Sequence, residues 1–219
     1  MHKTAVESIK TALIEQPLPG EEAQYRMAPS MRHVNFKDFP KLPERNSAVL
    51  ILLFPFEGLL HTVLIKRTPD KGPHSKQVSF PGGMFEQQDR DLTETALREA
   101  QEETGIISGD IAVLGQLTPL HIPVSGTEVL PVVGYIDYHP DFIPNTGEVE
   151  AIIETSLANL FDDSVKSTEV LKIKQYEVTS PYYNVKGYHV WGATAMILSE
   201  FEAVVKGINF YFNNNYTES

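Results

Sequence analysis

The stretch LTETALREAQEETGI, which runs from residue 92 to residue 106, contains four glutamates, and three of them, Glu99, Glu102 and Glu103, fall within five residues. On a helix, Glu99 and Glu103 lie about 40° apart and Glu102 lies about 60° to the other side of Glu99, so the three carboxylates share one sector. Like charges at these spacings repel one another, and the negative end of the helix dipole adds to the cost. A hard divalent cation that takes carboxylate oxygens would offset the repulsion. The stretch therefore predicts a metal site, and a solvated acidic face is the alternative.

The same stretch carries the signals that begin and end a helix. Asp91 followed three residues later by Glu94 resembles a capping box, and Gly105 is a good C-terminal stop. We therefore expect a helix over about residues 92–103.

One arginine of this helix lies among the acidic residues. Arg98 can pair with Glu94 and with Glu102 at four-residue spacing. That pairing would leave Glu99 and Glu103 short of a positive partner, which is a second reason to expect a cation there.

A Pro-Gly-Gly turn precedes the helix. Its glycines, Gly82 and Gly83, would let backbone N–H groups approach a phosphate closely. A Gly-Gly pair on its own usually marks only a turn. Glycines, a loop and a helix with clustered glutamates form a much more specific combination, which favours the metal site over a solvated acidic face.

Composition limits the class of partner. The 219 residues suit one domain of ordinary size, and 18 basic against 29 acidic residues give a formal net charge of −11. This charge repels a nucleic-acid backbone and no basic patch reverses it, so we expect a small-molecule substrate and no nucleic acid. The absence of cysteine excludes disulfides, thiolate metal sites and cysteine nucleophiles. A homodimer is left open, because no pattern specifies the oligomeric state.

No stretch predicts a membrane anchor. The N-terminal MHKTAVESIKTALIEQ interleaves apolar and charged residues, so it lacks the continuous apolar core of a signal peptide. The longest apolar run, residues 48–54, is far shorter than the roughly 20 residues that span a bilayer. We therefore expect a cytoplasmic protein without membrane contact.

The pattern of the chain predicts three parts. Residues 1–45 form an N-terminal arm packed on the main domain, with an amphipathic helix over residues 3–15 and then a proline-rich, irregular stretch. Residues 46–208 form the main domain, and residues 209–219 form a loosely held tail. Strands with helices interspersed predict a mixed α/β or α+β domain. Besides the acidic helix, the expected elements are a hairpin of strands at 47–55 and 59–67, strands at 77–80, 111–120, 127–138, 170–178 and 188–191, helical turns within 154–163, and a helix at 192–208.

The Pro-Gly-Gly turn and the acidic helix that follows it resemble a Nudix box. In that family pattern a glycine, five residues, a glutamate and seven residues precede Arg-Glu, an aliphatic residue, any residue, Glu-Glu, any residue, glycine and an aliphatic residue. REAQEETGI, residues 98–106, matches the second half if Ala100 serves as the aliphatic residue. The step from Gly83 to Arg98 is one residue longer than the pattern, and Asp89 stands where the first glutamate is expected. The resemblance implies the Nudix fold, a mixed β-sheet sandwiched between helices (α/β/α), here with an N-terminal helical arm.

The longer loop, its aspartate and the preceding Phe-Pro-Gly-Gly are similar to the coenzyme A pyrophosphatase branch of the family. An upstream motif of that branch is kept at Arg67, His74, Gln77 and residues 80–83. The chain departs from it at Gly72 and Lys76, where an arginine and a glycine are expected. The resemblance implies hydrolysis of coenzyme A to 4′-phosphopantetheine and adenosine 3′,5′-bisphosphate.

The resemblance also implies a role for each residue of the box. Glu99 and Glu103 would be ligands of Mg²⁺ or Mn²⁺, and Glu102 would share metal binding or act as the base. Arg98 would hold these carboxylates in place, and the Pro-Gly-Gly turn would face the phosphates.

The base and the phosphate-binding cations have further candidates. A carboxylate that is not wholly committed to metal can take the proton of water, and Glu102 and the loop residue Glu148 meet this description. For Glu148, a solvent-exposed loop acid is the alternative. Substrate phosphates need cations, for which ordinary surface charges are the alternative reading. The candidates that bracket the loop before the glycine turn are Arg67, Lys71, His74 and Lys76.

Two other functions stay open. The chain could be a Nudix hydrolase for another nucleoside diphosphate derivative, such as ADP-ribose or a dinucleotide. It could also be a Nudix-like module that binds nucleotides without hydrolysis. Such a module often loses the glutamates of the box, and this chain keeps all three.

Overall fold

The computed structural model describes residues 2–30, 45–69, 77–123, 125–173 and 176–208. Over these ranges the helices are α1 His2–Glu15, α2 Gly20–Tyr25, α3 Leu92–Thr104, α4 Leu157–Leu160 and α5 Gly192–Gly207. Short 3-10 helices cover Ser108–Asp110 and Asp163–Val165. None of these described helices is both long and apolar enough to cross a membrane.

The strands form two sheets in the described part of the chain. Eight strands make a mixed sheet of order β3-β2-β1-β7-β5, in which β4 also pairs with β1, β6 with β7 and β8 with β2. Strands β1 and β7 are parallel, and the other pairs are antiparallel. The second sheet is antiparallel, in the order β11-β10-β9. The bounds are β1 Arg45–Phe56, β2 Leu59–Arg67, β3 Val78–Ser79, β4 Gly82–Met84, β5 Ala112–Gln116, β6 Leu120–Ile122, β7 Thr127–Tyr135, β8 Val149–Ser156, β9 Lys166–Ile173, β10 Tyr176–Val185 and β11 Tyr188–Trp191.

Strand β1 is buried on both of its faces, as its continuous apolar sequence predicts. Leu50 and Leu52 pack with Ala96 of α3, whereas Ile51 and Leu53 belong to the cluster that includes α1 and α5. Side chains alternate across a strand, so one apolar run serves both layers. The expected β-sheet between helices is therefore confirmed, with α3 on one face and α1 and α5 on the other.

The predicted hairpin of β1 and β2 is also confirmed. Its two-residue turn consists of Glu57 and Gly58, with φ values of 46° and 77°. Both values lie in the left-handed region, which matches the right-handed twist of the paired strands.

The N-terminal segment is tied to α5 by a buried carboxylate. Glu200 accepts hydrogen bonds from the backbone N–H groups of Gly20 (3.1 Å) and Thr118 (3.2 Å) and from the Gln24 side chain (2.8 Å). Helix α2 therefore forms in a stretch that the proline-rich sequence predicted to be irregular. The division into arm, domain and tail stays a prediction, and residues 209–219 lie outside the described residues.

The two sheets differ from the predicted strands in four places. The predicted strand at residues 111–120 is divided into β5 and β6, which both pair with β7. Residues 149–156 form β8, where the sequence pattern predicted no strand, because β8 is stabilised by pairing with the distant β2. Residues 170–178 are divided between β9 and β10. Residues 82–84 extend the predicted turn into a short strand, β4, which pairs with β1.

Candidate functional site

Helix α3 begins and ends where the sequence signals place it. The Asp91 side chain accepts a hydrogen bond from the backbone N–H of Glu94 (2.9 Å), and Gly105 follows the helix with a φ of 74°. The Glu94 carboxylate turns back and accepts from the backbone N–H of Arg90 (2.6 Å) and from its Nε (3.0 Å). The predicted pair of Glu94 with Arg98 is therefore wrong, since Arg90 binds this carboxylate.

Arg98 instead joins α3 to the loop before it. Its Nε and Nη2 donate to the two carboxylate oxygens of Asp89 at 2.8 and 3.0 Å, and Nη2 also donates to the Met84 carbonyl at 3.1 Å. Its Nη1 donates to Glu99 at 2.9 Å and reaches Glu102 only at 3.4 Å. The guanidinium therefore fixes the direction of the Glu99 carboxylate relative to β4.

Asp89 occupies a position of the box pattern for which the sequence predicted no role in the site. Its side chain is buried and also accepts from the Thr95 hydroxyl (2.8 Å) and the backbone N–H of Glu86 (3.0 Å). The Arg98 guanidinium holds the pKa of Asp89 far below its usual range. The available signal was its position in the box pattern, where a glutamate is expected.

Glu103 is the most buried of the three glutamates, with 1% of its side chain exposed. Its Oε1 accepts from Arg67 Nη1 at 2.9 Å and its Oε2 from the Gly82 backbone N–H at 2.8 Å. The expectation that Glu99 and Glu103 are short of a positive partner is therefore wrong, because Arg98 binds Glu99 and β2 brings Arg67 beside Glu103. Burial raises the pKa of Glu103 to about 7, the charges of Glu99 and Glu148 act in the same direction, and the two hydrogen-bond donors oppose the rise.

The other two glutamates lie progressively nearer to solvent. The Glu99 side chain is 15% exposed and that of Glu102 is 55% exposed. Burial raises the pKa of Glu99, Arg98 opposes this rise, and the charges of Glu102 and Glu148 add to it. The acidic sector of α3 thus runs from a buried carboxylate to an exposed one.

The two glycines of β4 lie directly against this sector. A Cβ added at Gly83 would fall within 2.5 Å of both carboxylate oxygens of Glu99, and one added at Gly82 would overlap the Ala48 carbonyl and Val49. A side chain at Gly82 would therefore separate β4 from β1, and one at Gly83 would displace the Glu99 carboxylate.

The loop that carries Glu148 is attached to the C-terminus of α3. The Ile143 N–H donates to the Thr104 carbonyl at 2.8 Å, and the Asn145 N–H donates to the Glu103 carbonyl at 3.0 Å. These bonds satisfy carbonyls that a helix end leaves without partners. Glu148 is exposed in the following turn, where its charge acts on Glu99 and Glu103.

The predicted phosphate-binding cations are only partly described. Arg67 ends β2 and bonds Glu103, so it belongs to the glutamate cluster. Lys71, His74 and Lys76 lie outside the described residues, and their roles stay predictions.

The carboxylates of α3 are bound by protein groups in this structure. Among the residues it describes, no three acidic or histidine side chains converge as ligands of one ion. The donor chemistry nevertheless fits Mg²⁺ or Mn²⁺, since carboxylate oxygens are the ligands that hard cations prefer. The raised pKa values of Glu99 and Glu103 indicate that the nearby arginines do not fully compensate these buried charges.

Comparisons with known sequences agree with this geometry. A sequence model of the NUDIX domain matches residues 44–172. The chain is 38% identical over 181 residues to the "Uncharacterized Nudix hydrolase NudL" of Pectobacterium atrosepticum, a match that covers 81% of this chain and 88% of that protein. It is 35% identical to "Nudix hydrolase 15, mitochondrial" of Arabidopsis thaliana, over 74% of this chain and 59% of that protein.

Solved structures show the same fold at lower identity. A MutT/nudix family protein from Enterococcus faecalis superposes with a TM-score of 0.50 at 20% identity, covering 85% of this chain and 74% of that chain. A MutT protein from Methanosarcina mazei Go1 has a TM-score of 0.50 at 18% identity, covering 78% of this chain and 99% of that chain.

Proposed function

Because this chain belongs to the Nudix hydrolase family, and is thus a hydrolase of diphosphates, we propose that its substrate is coenzyme A or a derivative of it. The products would be 4′-phosphopantetheine and adenosine 3′,5′-bisphosphate. The observation that carries the proposal is the acidic sector of α3, in which Glu99 and Glu103 face the side-chain-free backbone of Gly82 and Gly83.

Nudix hydrolases generally use divalent metals such as Mg²⁺ or Mn²⁺. In this chain Glu99 and Glu103 would hold the ion, with Glu102 beside them. When bound, the ion would neutralise charge on phosphoryl oxygens and lower the pKa of water. Arg98 and Asp89 would keep the Glu99 carboxylate aimed at β4.

Two carboxylates are candidates for taking the proton of the attacking water. Glu102 is the most exposed glutamate of the sector, and its contact with Arg98 is long at 3.4 Å. Glu148 lies on the loop attached to the end of α3. Either side chain can exchange a proton with solvent, as a general base must after each turnover.

The choice of coenzyme A depends on features of the sequence. The Phe-Pro-Gly-Gly segment, the longer loop and Asp89 in place of a glutamate are shared with the coenzyme A pyrophosphatase branch. Lys71, His74 and Lys76 are proposed to bind the substrate phosphates together with Arg67. A cytoplasmic location is part of the same proposal.

The test is a substrate panel with defined metals. The full chain is incubated with Mg²⁺ or Mn²⁺ and coenzyme A, acyl-coenzyme A, ADP-ribose, NADH or diadenosine polyphosphates, and the products are resolved by chromatography. We expect 4′-phosphopantetheine and adenosine 3′,5′-bisphosphate from coenzyme A, and no turnover in EDTA. Hydrolysis of ADP-ribose or a dinucleotide, with no hydrolysis of coenzyme A, would overturn the substrate assignment. Binding of these compounds without turnover of any would identify a nucleotide-binding module.

A further inference from the structure

A groove of about 480 Å³ lies next to the segment that leads into the Glu148 loop. One wall is the segment that leads into the Glu148 loop, ending at Pro144, and the other is the outer face of β8 from Glu150 to Glu154. Its volume lies within the range of about 300–1,000 Å³ that is typical of ligand sites. The groove is therefore large enough to hold part of a substrate.

Both walls begin next to groups that contact Glu103. Pro144 precedes Asn145, whose backbone N–H bonds the Glu103 carbonyl. Glu150 bonds Lys66 at 2.6 Å, and Lys66 precedes Arg67, which bonds the Glu103 carboxylate. Both walls of the groove are therefore connected through short contacts to the groups that bond Glu103.

The side chains of the groove combine apolar surface with carboxylates. Phe142 packs edge-on against Phe54, with ring centroids 5.6 Å apart, and Ile152 packs on the apolar cluster beneath α3. Glu150 and Glu154 each use one oxygen, toward Lys66 and toward the His139 ring (2.6 Å), and the second oxygen of each can accept another hydrogen bond.

The negative charge of the groove determines which part of a substrate it can bind. Among the residues that the structure describes, the groove holds the carboxylates of Asp141, Glu150 and Glu154, and Lys66 pairs with one of them, Glu150. A phosphate would be repelled there. An uncharged chain with amide N–H donors and methyl groups would be accepted, since the carboxylates can bind the N–H groups and the apolar walls can bury the methyl groups.

We infer that this groove binds the pantetheine arm of the substrate, while the adenosine bisphosphate half lies elsewhere. The arm is uncharged and consists of two amides, a hydroxyl, a dimethyl carbon and a thiol, which matches the groove. The inference rests on the proposed coenzyme A substrate, and it identifies which half of that substrate meets β8.

The two reaction products allow a direct test, because each carries one half of the substrate. We would measure inhibition of coenzyme A hydrolysis by each product for the wild type and for Ile152→Ala and Phe142→Ala. The inhibition constant of 4′-phosphopantetheine should rise about tenfold in both variants, as expected for a lost apolar contact. The constant of adenosine 3′,5′-bisphosphate should change less than about twofold, and Val170→Ala, an exposed apolar position on β9, should change neither constant.

An NMR titration tests the same inference without turnover and without a variant. Adding 4′-phosphopantetheine to the wild type with Mg²⁺ should shift the methyl resonances of Ile152 and Ala151, and adenosine 3′,5′-bisphosphate should leave them in place. The inference would be overturned if these methyl resonances did not shift when 4′-phosphopantetheine is added. It would also be overturned if the groove variants raised the inhibition constants of both products equally. If coenzyme A is hydrolysed normally in those cases, the proposed function stands and only the groove assignment fails.

Discussion

Three glutamates that share one sector of α3 differ in how deeply their side chains are buried. Glu103 is enclosed by Arg67 and the Gly82 N–H, Glu99 is held by Arg98, and Glu102 extends to solvent. This gradient fits the proposed division of work, in which the two buried carboxylates hold a cation and the exposed one exchanges protons.

Replacing Glu103 by glutamine should remove activity while keeping the fold. Glutamine matches the shape of the side chain, and it removes the charge that a divalent cation needs. We expect kcat to fall by about 100-fold to 10,000-fold with Mg²⁺, the range typical of a lost catalytic group. Steady-state kinetics and circular dichroism check both parts, with the exposed Glu177→Gln on β10 as the control. Activity within tenfold of the wild type would show that Glu103 is not part of the site.

The pKa of Glu103 also predicts how metal-free stability depends on pH. Burial raises this pKa to about 7 from an ordinary value of 4.5, so the folded protein binds the proton more tightly than the unfolded chain does. The stabilising contribution is complete below a pH of 4.5 and is lost as the pH rises through about 7. Relative to Glu103→Gln, the free energy of unfolding of the wild type should fall by about 3 kcal/mol between pH 4.5 and 8.

Urea denaturation in EDTA measures this difference. The comparison with Glu103→Gln cancels the titration of the other acidic residues. A difference between the two proteins that is constant with pH would contradict the environment described for Glu103.

At the level of the elements, the close packing of β4 depends on its two glycines. A Cβ at Gly82 would overlap backbone atoms of β1, which cannot rotate away, so Gly82→Ala should cost more than about 2 kcal/mol. Gly58→Ala is the matched control, because its φ of 77° is strained and yet no atom lies within 4 Å of the added carbon. It should cost only about 1 kcal/mol. Equal losses for the two variants in urea denaturation would argue against the close packing of β4 on β1.

The junction between α3 and its preceding loop depends on Asp89. Asp89→Asn keeps the shape of the side chain but leaves the mostly buried guanidinium of Arg98 without its main charge partner, so we expect a loss of about 3–5 kcal/mol. Asp91→Ala, which removes only the N-cap, should lose about 1 kcal/mol. Thermal and urea unfolding compare the two variants, and a smaller loss for Asp89→Asn would contradict the proposed importance of this ion pair.

For the whole molecule, Glu200 is a buried polar contact between the N-terminal segment and the domain, in addition to the apolar packing of α1. Glu200→Ala would leave the buried N–H groups of Gly20 and Thr118 without their acceptor, at a cost of about 2–4 kcal/mol. Hydrogen exchange should then increase selectively over residues 17–27. If residues 17–27 of the variant were as protected from hydrogen exchange as they are in the wild type, other contacts would be holding this segment. Glu177→Ala serves as the exposed control.

Several elements could be predicted because their signals are local. The caps of α3, the turn of the first hairpin and the alternating faces of β1 each depend on residues that are neighbours in sequence. Strand β8 and helix α2 could not be predicted in this way, because β8 depends on pairing with β2 and α2 on contacts with α5.

The spacing of the glutamates, the glycine pair and the box pattern were enough to identify the family and the acidic sector of α3. They could not reveal that Arg67 pairs with Glu103 or that Asp89 anchors Arg98. Helical geometry relates residues within one helix, so it can place carboxylates on one sector. Which cation lies opposite each carboxylate, and how deeply each is buried, depends on how β2, β4 and the preceding loop pack against that helix.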